Sequence, residues 1–134
     1  MHESTLDIPT RAGAMESFIV HPERGGPHPA VLMLMDAPGI REELRDMARR
    51  LATVGYLVVL PNLYYRAGRD TMFGPGVMTQ GDPERERMRA IRTKMTIPPV
   101  MEDVADMLAW LDAQPAAKPG AVGVHGYCMS GPYA

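Results

Sequence analysis

The sequence predicts an α/β fold, with a mostly parallel sheet flanked by helices. Three observations support this. The length of 134 residues suits one domain. Two continuous apolar runs enclose a segment with helical periodicity, and a third run leads directly into a glycine-rich turn. No repeat or linker divides the chain, so we expect residues 1–134 to belong to a single domain.

The N-terminal segment predicts two short strands before the parallel part of the sheet begins. Residues 6–9 and 15–21 have strand character, and residues 11–14 turn between them. Residues 30–35 are apolar without interruption. Such a run is typical of a strand whose two faces are both covered by helices.

Residues 40–54 predict an amphipathic helix. Their apolar positions recur at spacings of 4, 3, 4 and 3, which is one face of an α-helix. Gly55 favours termination, and residues 56–60 form a second apolar run that Pro61 ends. Residues 30–60 therefore predict a strand–helix–strand unit of a parallel sheet. The apolar positions of the helix are Ile40, Leu44, Met47, Leu51 and Val54.

The second half continues this alternation after a long interruption. Residues 66–82 contain four glycines and no periodicity, which predicts a surface loop. A charged helical segment follows at 83–95, and Pro98-Pro99 opens another helix. Residues 121–124 predict a third buried strand. The apolar face of the last helix carries Val100, Val104, Met107, Leu108 and Leu111.

Composition excludes several functional classes. The net charge of −2 provides no basic excess to neutralise phosphates, so nucleic-acid binding is not predicted as the main function. The longest apolar run is far too short for a membrane span, and no secretory signal is visible. A single cysteine precludes an internal disulfide and favours a reducing compartment such as the cytoplasm. Neither metal-ligand spacing nor a phosphate-binding glycine loop occurs, so no metal or cofactor is predicted.

The third apolar run enters the sequence Gly126-Tyr127-Cys128-Met129-Ser130-Gly131, which has the pattern of a nucleophile elbow. The nucleophile of an elbow occupies a tight turn, so the residues around it must be small. Gly126, Ser130 and Gly131 supply those positions, and Cys128 stands at the apex. A helix after the turn would direct free N–H groups towards a developing oxyanion. An inert thiol among small core residues is the alternative interpretation.

The chain resembles the dienelactone hydrolase family, a branch of the α/β hydrolases with a cysteine nucleophile. The resemblance rests on residues 29–39, 55–64 and 122–131, of which the last contains the Gly-Tyr-Cys elbow. It implies the α/β-hydrolase fold. It also implies hydrolysis of a small carboxylic ester or lactone through an acyl-enzyme.

The resemblance further implies roles for individual residues. Cys128 corresponds to the nucleophile, and the backbone N–H groups of Ala37 and Met129 correspond to the oxyanion hole. Asp36 occupies the position of a family glutamate that contacts the resting nucleophile; a capping aspartate in a turn is the alternative. Tyr64 follows the second apolar run at the same end of the sheet, where it either lines the substrate pocket or packs.

An arginine that binds the substrate carboxylate is also implied. Arg85 falls near its position, and Arg87 and Arg89 are equally available. The simpler interpretation of residues 84–89 is a solvated helix face with alternating charges.

The family triad places its acid and its histidine on strands after the nucleophile, and residues 129–134 contain neither. His125 is interpreted as a histidine of the core or of a sheet face. The resemblance thus implies the N-terminal portion of the domain, truncated before the last strands and inactive as a fragment. We expect an uncovered sheet edge at residues 121–125, and therefore either marginal stability or self-association.

Two other classes remain as alternatives. One is a non-catalytic α/β binding module in which Cys128 is buried and inert. The other is a flavodoxin-like domain, which would need a phosphate loop after the first parallel strand. Residues 36–39 are poorly suited to that role.

Overall fold

A computed structural model describes residues 1–134 as a mixed five-stranded sheet with helices packed on it. The strand order is β1-β2-β4-β3-β5. The pairs β1/β2 and β2/β4 are antiparallel, whereas β4/β3 and β3/β5 are parallel. The elements are β1 (His2–Thr10), β2 (Gly13–His21), β3 (Ala30–Leu34), α1 (Glu42–Thr53), β4 (Leu57–Pro61), α2 (Pro83–Thr93), α3 (Ile97–Asp112) and β5 (Gly123–Gly126), with 3₁₀ turns at Tyr65–Ala67 and Cys128–Tyr133.

The strand–helix–strand unit predicted at 30–60 is confirmed. β3 and β4 are central, and almost every side chain in them is buried. Helix α1 covers the sheet with Leu44, Ala48 and Ala52. The prediction for Val54 is wrong, since that side chain is 72% exposed. The helix ends at Thr53, and the chain turns away at Gly55 with φ of +109°.

Strand β1 is longer than predicted, because it pairs with β2 along its whole length, from His2↔His21 to Thr10↔Gly13. Most of its side chains are exposed or half-buried, and only Ile8 is fully buried. Hydropathy therefore indicates the strand only around its buried position. The backbone ladder forms regardless of the polar residues beside it.

The segment 66–82 is not the simple surface loop that its composition predicts. Thr71, Phe73 and Val77 are buried in it. The N–H of Phe73 donates to the Pro38 carbonyl at 2.7 Å. A Cβ on Gly39 would lie 2.8 Å from the Thr71 carbonyl oxygen. The loop is therefore docked on the turn that follows β3.

A buried ion pair fixes α3 to the turn after β4. Asp103 is 1% exposed and accepts from both terminal nitrogens of Arg66, at 2.7 and 3.0 Å, and from the Tyr65 hydroxyl at 2.7 Å. These three bonds compensate the burial of the carboxylate. No local pattern in the sequence distinguishes Asp103 from any other acidic residue near a helix start.

Strand β5 lies at the edge of the sheet, with β3 as its only neighbour. It was predicted as a buried strand at 121–124, but it covers Gly123–Gly126 and leaves Val124 42% exposed. Its outer side carries unpaired backbone groups, as expected of the segment 121–125. Self-association through this edge stays a prediction, which a monodisperse monomer with a cooperative thermal transition would contradict.

None of the three helices combines the length and the apolar character needed to cross a bilayer.

Candidate active site

Cys128 stands at the apex of a tight turn at the carboxyl end of β5. Its side chain is exposed, and its φ of +50° lies in the left-handed region that non-glycine residues rarely adopt. Strain of this kind is characteristic of functional turns. The pattern of the sequence thus corresponds to a real elbow, and the interpretation of Cys128 as a buried thiol is wrong.

Gly126 allows the turn to close. A Cβ at this position would lie 2.2 Å from the Ser130 carbonyl oxygen. A Cβ on Gly131 would meet nothing within 4 Å, so the predicted need for a small residue holds at 126 and not at 131. The segment Cys128–Tyr133 forms a 3₁₀ turn rather than the α-helix that was expected.

The elbow is tied to the end of β3. The N–H of Tyr127 donates to the Leu34 carbonyl at 3.3 Å, and the Ser130 hydroxyl donates to the Met35 carbonyl. These bonds hold the apex beside the turn at 36–39. The two segments predicted to form an oxyanion hole are therefore neighbours in space.

The backbone N–H groups of Ala37 and Met129 donate none of the hydrogen bonds found in the turns and loops. In the turn after β3, Pro38 has no N–H, and the N–H of Gly39 is used by the Asp36 carbonyl at 3.2 Å. Ala37 is fully buried, and Met129 is 8% exposed. The arrangement can offer two unused donors, but bulk solvent does not reach the one on Ala37.

Asp36 forms a bidentate ion pair with Arg41. The distances are 2.7 Å from Nη1 to Oδ1 and 2.9 Å from Nη2 to Oδ2. Both residues are half-buried. The carboxylate is therefore occupied by Arg41, and Cys128 makes no hydrogen bond to it or to any other side chain. The contact between Asp36 and Cys128 that the family resemblance implies stays a prediction.

The arginines of α2 lie on different sides of the helix. Arg89 and Arg92 line an open hollow together with Met129 and Tyr133. Arg85 donates to the Met78 carbonyl at 2.8 Å and lines a neighbouring hollow at the start of the helix.

Arg87 extends over the Phe73 ring, 5.2 Å from its centroid. Arg89 and Arg92 thus share a hollow with Met129 of the elbow, whereas the carboxylate-binding role predicted for Arg85 stays a prediction.

Tyr64 packs beneath the elbow, and it also borders a hollow between the turn after β4 and helix α2 that Cys128 does not line. It is 1% exposed, and its hydroxyl donates to the Ala37 carbonyl at 2.6 Å. Burial raises the pKa of Tyr64, and the positive charge of nearby Arg92 opposes this effect. The predicted contact between Tyr64 and the substrate stays a prediction. The observed position of Tyr64 agrees with the other interpretation, in which it packs.

His125 is on β5, three residues before the nucleophile. Its Nε2 is buried without a hydrogen-bond partner, and its ring meets that of Tyr127 edge-on at 5.2 Å between centroids. Burial lowers the pKa of His125. It makes no contact that would let it act as base towards Cys128, in keeping with its interpretation as a residue of the sheet.

Two residues of this region were missed at the level of sequence. Arg41 immediately precedes α1, and no pattern in the sequence indicates that it holds Asp36. Arg92 makes no hydrogen bond or ion pair and is half-buried beside the elbow. Helical spacing could have indicated it, since Arg85, Arg89 and Arg92 recur at intervals of 4 and 3. No group of three His, Cys, Asp or Glu side chains is arranged to hold a metal ion.

Comparison with known proteins gives a consistent result. The sequence model of the dienelactone hydrolase family matches residues 15–134. A protein of Methylorubrum extorquens, provisionally named carboxymethylenebutenolidase, is 28% identical over 126 residues, which are 94% of this chain and 40% of that protein. A Synechocystis protein with the same provisional name is 26% identical, over 94% of this chain and 49% of its own length.

Solved structures show the same fold. A provisionally assigned dienelactone hydrolase from Klebsiella pneumoniae superposes with a TM-score of 0.77 at 24% identity, covering 99% of this chain and 54% of that one. An esterase from Pyrobaculum calidifontis gives a TM-score of 0.64 at 21% identity, over 97% of this chain and 36% of its own. These likenesses establish the α/β-hydrolase fold. The chain spans about half the length of the relatives that it matches or less.

Proposed function

The chain belongs to the dienelactone hydrolase family, and from that premise we propose that the whole protein hydrolyses carboxylic ester or lactone bonds through a thioester on Cys128. The observation that carries the proposal is the exposed Cys128 at φ of +50°, at the tip of a turn that Gly126 alone allows to close. A strained, exposed nucleophile at the carboxyl end of a parallel strand is the arrangement of a nucleophile elbow, and here that strand is β5, which pairs with the central β3.

In the proposed reaction the Cys128 thiolate attacks the carbonyl carbon of the substrate and forms a C–S bond. The carbonyl oxygen takes the negative charge, and the N–H groups of Ala37 and Met129 stabilise it. The C–O bond then breaks, and the alkoxide or enolate leaves and takes up a proton from water. A second water hydrolyses the thioester to the carboxylic acid and the free thiol. An enol leaving group needs less protonation than an alkoxide, which suits a thiol nucleophile.

Access to the oxyanion hole is part of the proposal. Cys128 is exposed, whereas Ala37 is fully buried beneath the elbow and the docked loop. A substrate oxygen therefore reaches the Ala37 N–H after a local displacement of the side chains that cover it. Activation of Cys128 by Asp36 would likewise require release of the ion pair with Arg41.

The hollow beside the elbow favours a substrate with a negative charge. Arg92 has no ion-pair partner and borders this hollow, and Arg89 stands next to it. An arginine can bind a carboxylate through two parallel hydrogen bonds. We therefore assign the anionic end of the substrate to this part of α2.

None of the residues described at the site is placed to act as the acid or the base of a triad, so we assign acylation of Cys128 to these residues and hydrolysis of the thioester to the whole protein. The only cysteine must stay reduced to act as nucleophile, which favours the cytoplasm.

Acylation of Cys128 tests the proposal directly in this chain. Incubation with p-nitrophenyl acetate should release p-nitrophenolate and add one acetyl group to Cys128, as located by mass spectrometry. The measured quantity is the ratio of the acylation rate to the rate of alkylation by iodoacetamide. This ratio should be about 100-fold higher in the folded chain than in the urea-unfolded chain, because only acylation develops an oxyanion. Cys128→Ala should remove both reactions.

A ratio equal to that of the unfolded chain would refute the proposal. The outcome would then support the alternative of a non-catalytic α/β module in which the thiol has no role. The exposed position of Cys128 already disagrees with the burial that this alternative assumes.

A further inference from the structure

The hydroxyl of Tyr64 joins the two segments that are proposed to form the oxyanion hole. Its oxygen lies 2.6 Å from the Ala37 carbonyl oxygen and 3.3 Å from the Met129 sulfur. Ala37 belongs to the turn after β3, and Met129 belongs to the elbow after β5. Tyr64 itself comes from a third segment, just after β4. One side chain thus touches both residues whose N–H groups the reaction would use.

The hydrogen bond of Tyr64 is directed at the turn after β3. A phenol has one hydrogen to donate, and a carbonyl oxygen is a stronger acceptor than a thioether sulfur. Burial raises the pKa of Tyr64, so the hydroxyl keeps its proton at neutral pH. The hydrogen therefore binds the Ala37 carbonyl, and the Met129 side chain rests against the same oxygen.

The ring of Tyr64 is itself held in place. Phe73 meets it edge-on, with 5.8 Å between the ring centroids and an interplanar angle of 80°. The N–H of Phe73 donates to the carbonyl of Pro38, the residue after Ala37. The docked loop and Tyr64 thus hold the same turn from two sides.

We propose that Tyr64 is a positioning residue, which sets the distance and orientation of the Ala37 N–H relative to that of Met129. The inference rests on the proposed function, and it assigns Tyr64 no contact with the reacting atoms. Two donors stabilise an oxyanion only if both point to one place, and a misplacement of about 1 Å can cost up to 100-fold in rate.

The variant Tyr64→Phe tests this assignment, since it removes the hydroxyl and keeps the ring. The acylation rate of Cys128 by p-nitrophenyl acetate should fall about tenfold. Alkylation by iodoacetamide should keep its rate, because it displaces iodide from a saturated carbon and forms no oxyanion. The measured quantity is the ratio of the two rates. Unfolding lowers the same ratio, so only variants whose folding has been verified by circular dichroism are compared.

Tyr65→Phe is the matched control. Its hydroxyl is also buried and bonded, at 2.7 Å to Asp103, and burial raises the pKa of Tyr65 to about 12. It lies away from the elbow, so its loss should leave the ratio unchanged.

Phe73→Leu provides a second variant that retains the Tyr64 hydroxyl but loosens its ring. The ratio should fall in this variant too, by less than in Tyr64→Phe.

An unchanged ratio in folded Tyr64→Phe, or an equal fall in both rates, would overturn the assignment of Tyr64. An equal fall of the ratio in Tyr65→Phe would do the same. Failure of the proposed function can be told apart from failure of this assignment. If the proposed function fails, the chain without any substitution already shows the same rate ratio as the urea-unfolded chain.

Discussion

Replacing Gly126 with alanine should prevent the elbow from closing. The added Cβ would lie 2.2 Å from the Ser130 carbonyl oxygen, 2.6 Å from its carbon and 3.1 Å from the Gly131 nitrogen. Contacts of a Cβ below 3.0 Å are essentially never observed, so the Ser130 carbonyl must move by at least 0.8 Å. These are backbone atoms of a turn held at Met35 and Tyr127, and they have no flexible end that can yield.

We expect Gly126→Ala to lower the free energy of unfolding by about 2–3 kcal/mol, the upper part of the range typical of an overpacked site, because the clash is with backbone atoms. Urea denaturation followed by circular dichroism measures this loss, and acylation of Cys128 should be lost with the turn. Gly131→Ala is the matched control, since its Cβ would meet nothing within 4 Å. A Gly126→Ala chain with unaltered stability and acylation would refute the reasoning.

Two further predictions concern titration and charge. Burial lowers the pKa of His125 in the folded chain below its ordinary 6.5. As the pH falls below 6.5 the unfolded chain therefore takes up a proton before the folded chain does, and the folded chain should lose stability. The thermal midpoints at pH 8 and pH 5 should differ less in His125→Gln than in the control His2→Gln. Arg92→Gln should slow acylation of Cys128 by a carboxylate-bearing p-nitrophenyl ester about fivefold relative to p-nitrophenyl acetate, and a larger loss in Arg85→Gln would return that role to Arg85.

The parallel part of the fold could be predicted from sequence because its signals are local. The runs at 30–35 and 56–60 have no polar residue to suggest an exposed face, and the structure buries β3 and β4 there. The elbow is equally local, since glycine must stand where backbone approaches backbone. The family match is in keeping with this, and it removes the flavodoxin-like alternative.

The remainder depends on tertiary contacts that no local pattern contains. Asp103 resembles any acidic residue near a helix start until Arg66 and Tyr65 are brought to it. Phe73 and Val77 lie among glycines and are buried only because the loop folds back on the turn after β3. Tyr64 had two interpretations for the same reason, since its neighbours Ala37 and Met129 are distant in the chain.

The docking of Phe73 on the Pro38 carbonyl divides the connection between β4 and α2 into parts that differ in their tolerance of added or deleted residues. Between Gly68 and Phe73 a change of length would shift the support of the Ala37 turn, although no reacting group lies there. At Met78–Gly81 the side chains are exposed, and a longer or shorter tip would leave that support intact. Variation in length among homologous chains should therefore concentrate at the tip, where it can reshape the hollow at the start of α2 without disturbing the turn below.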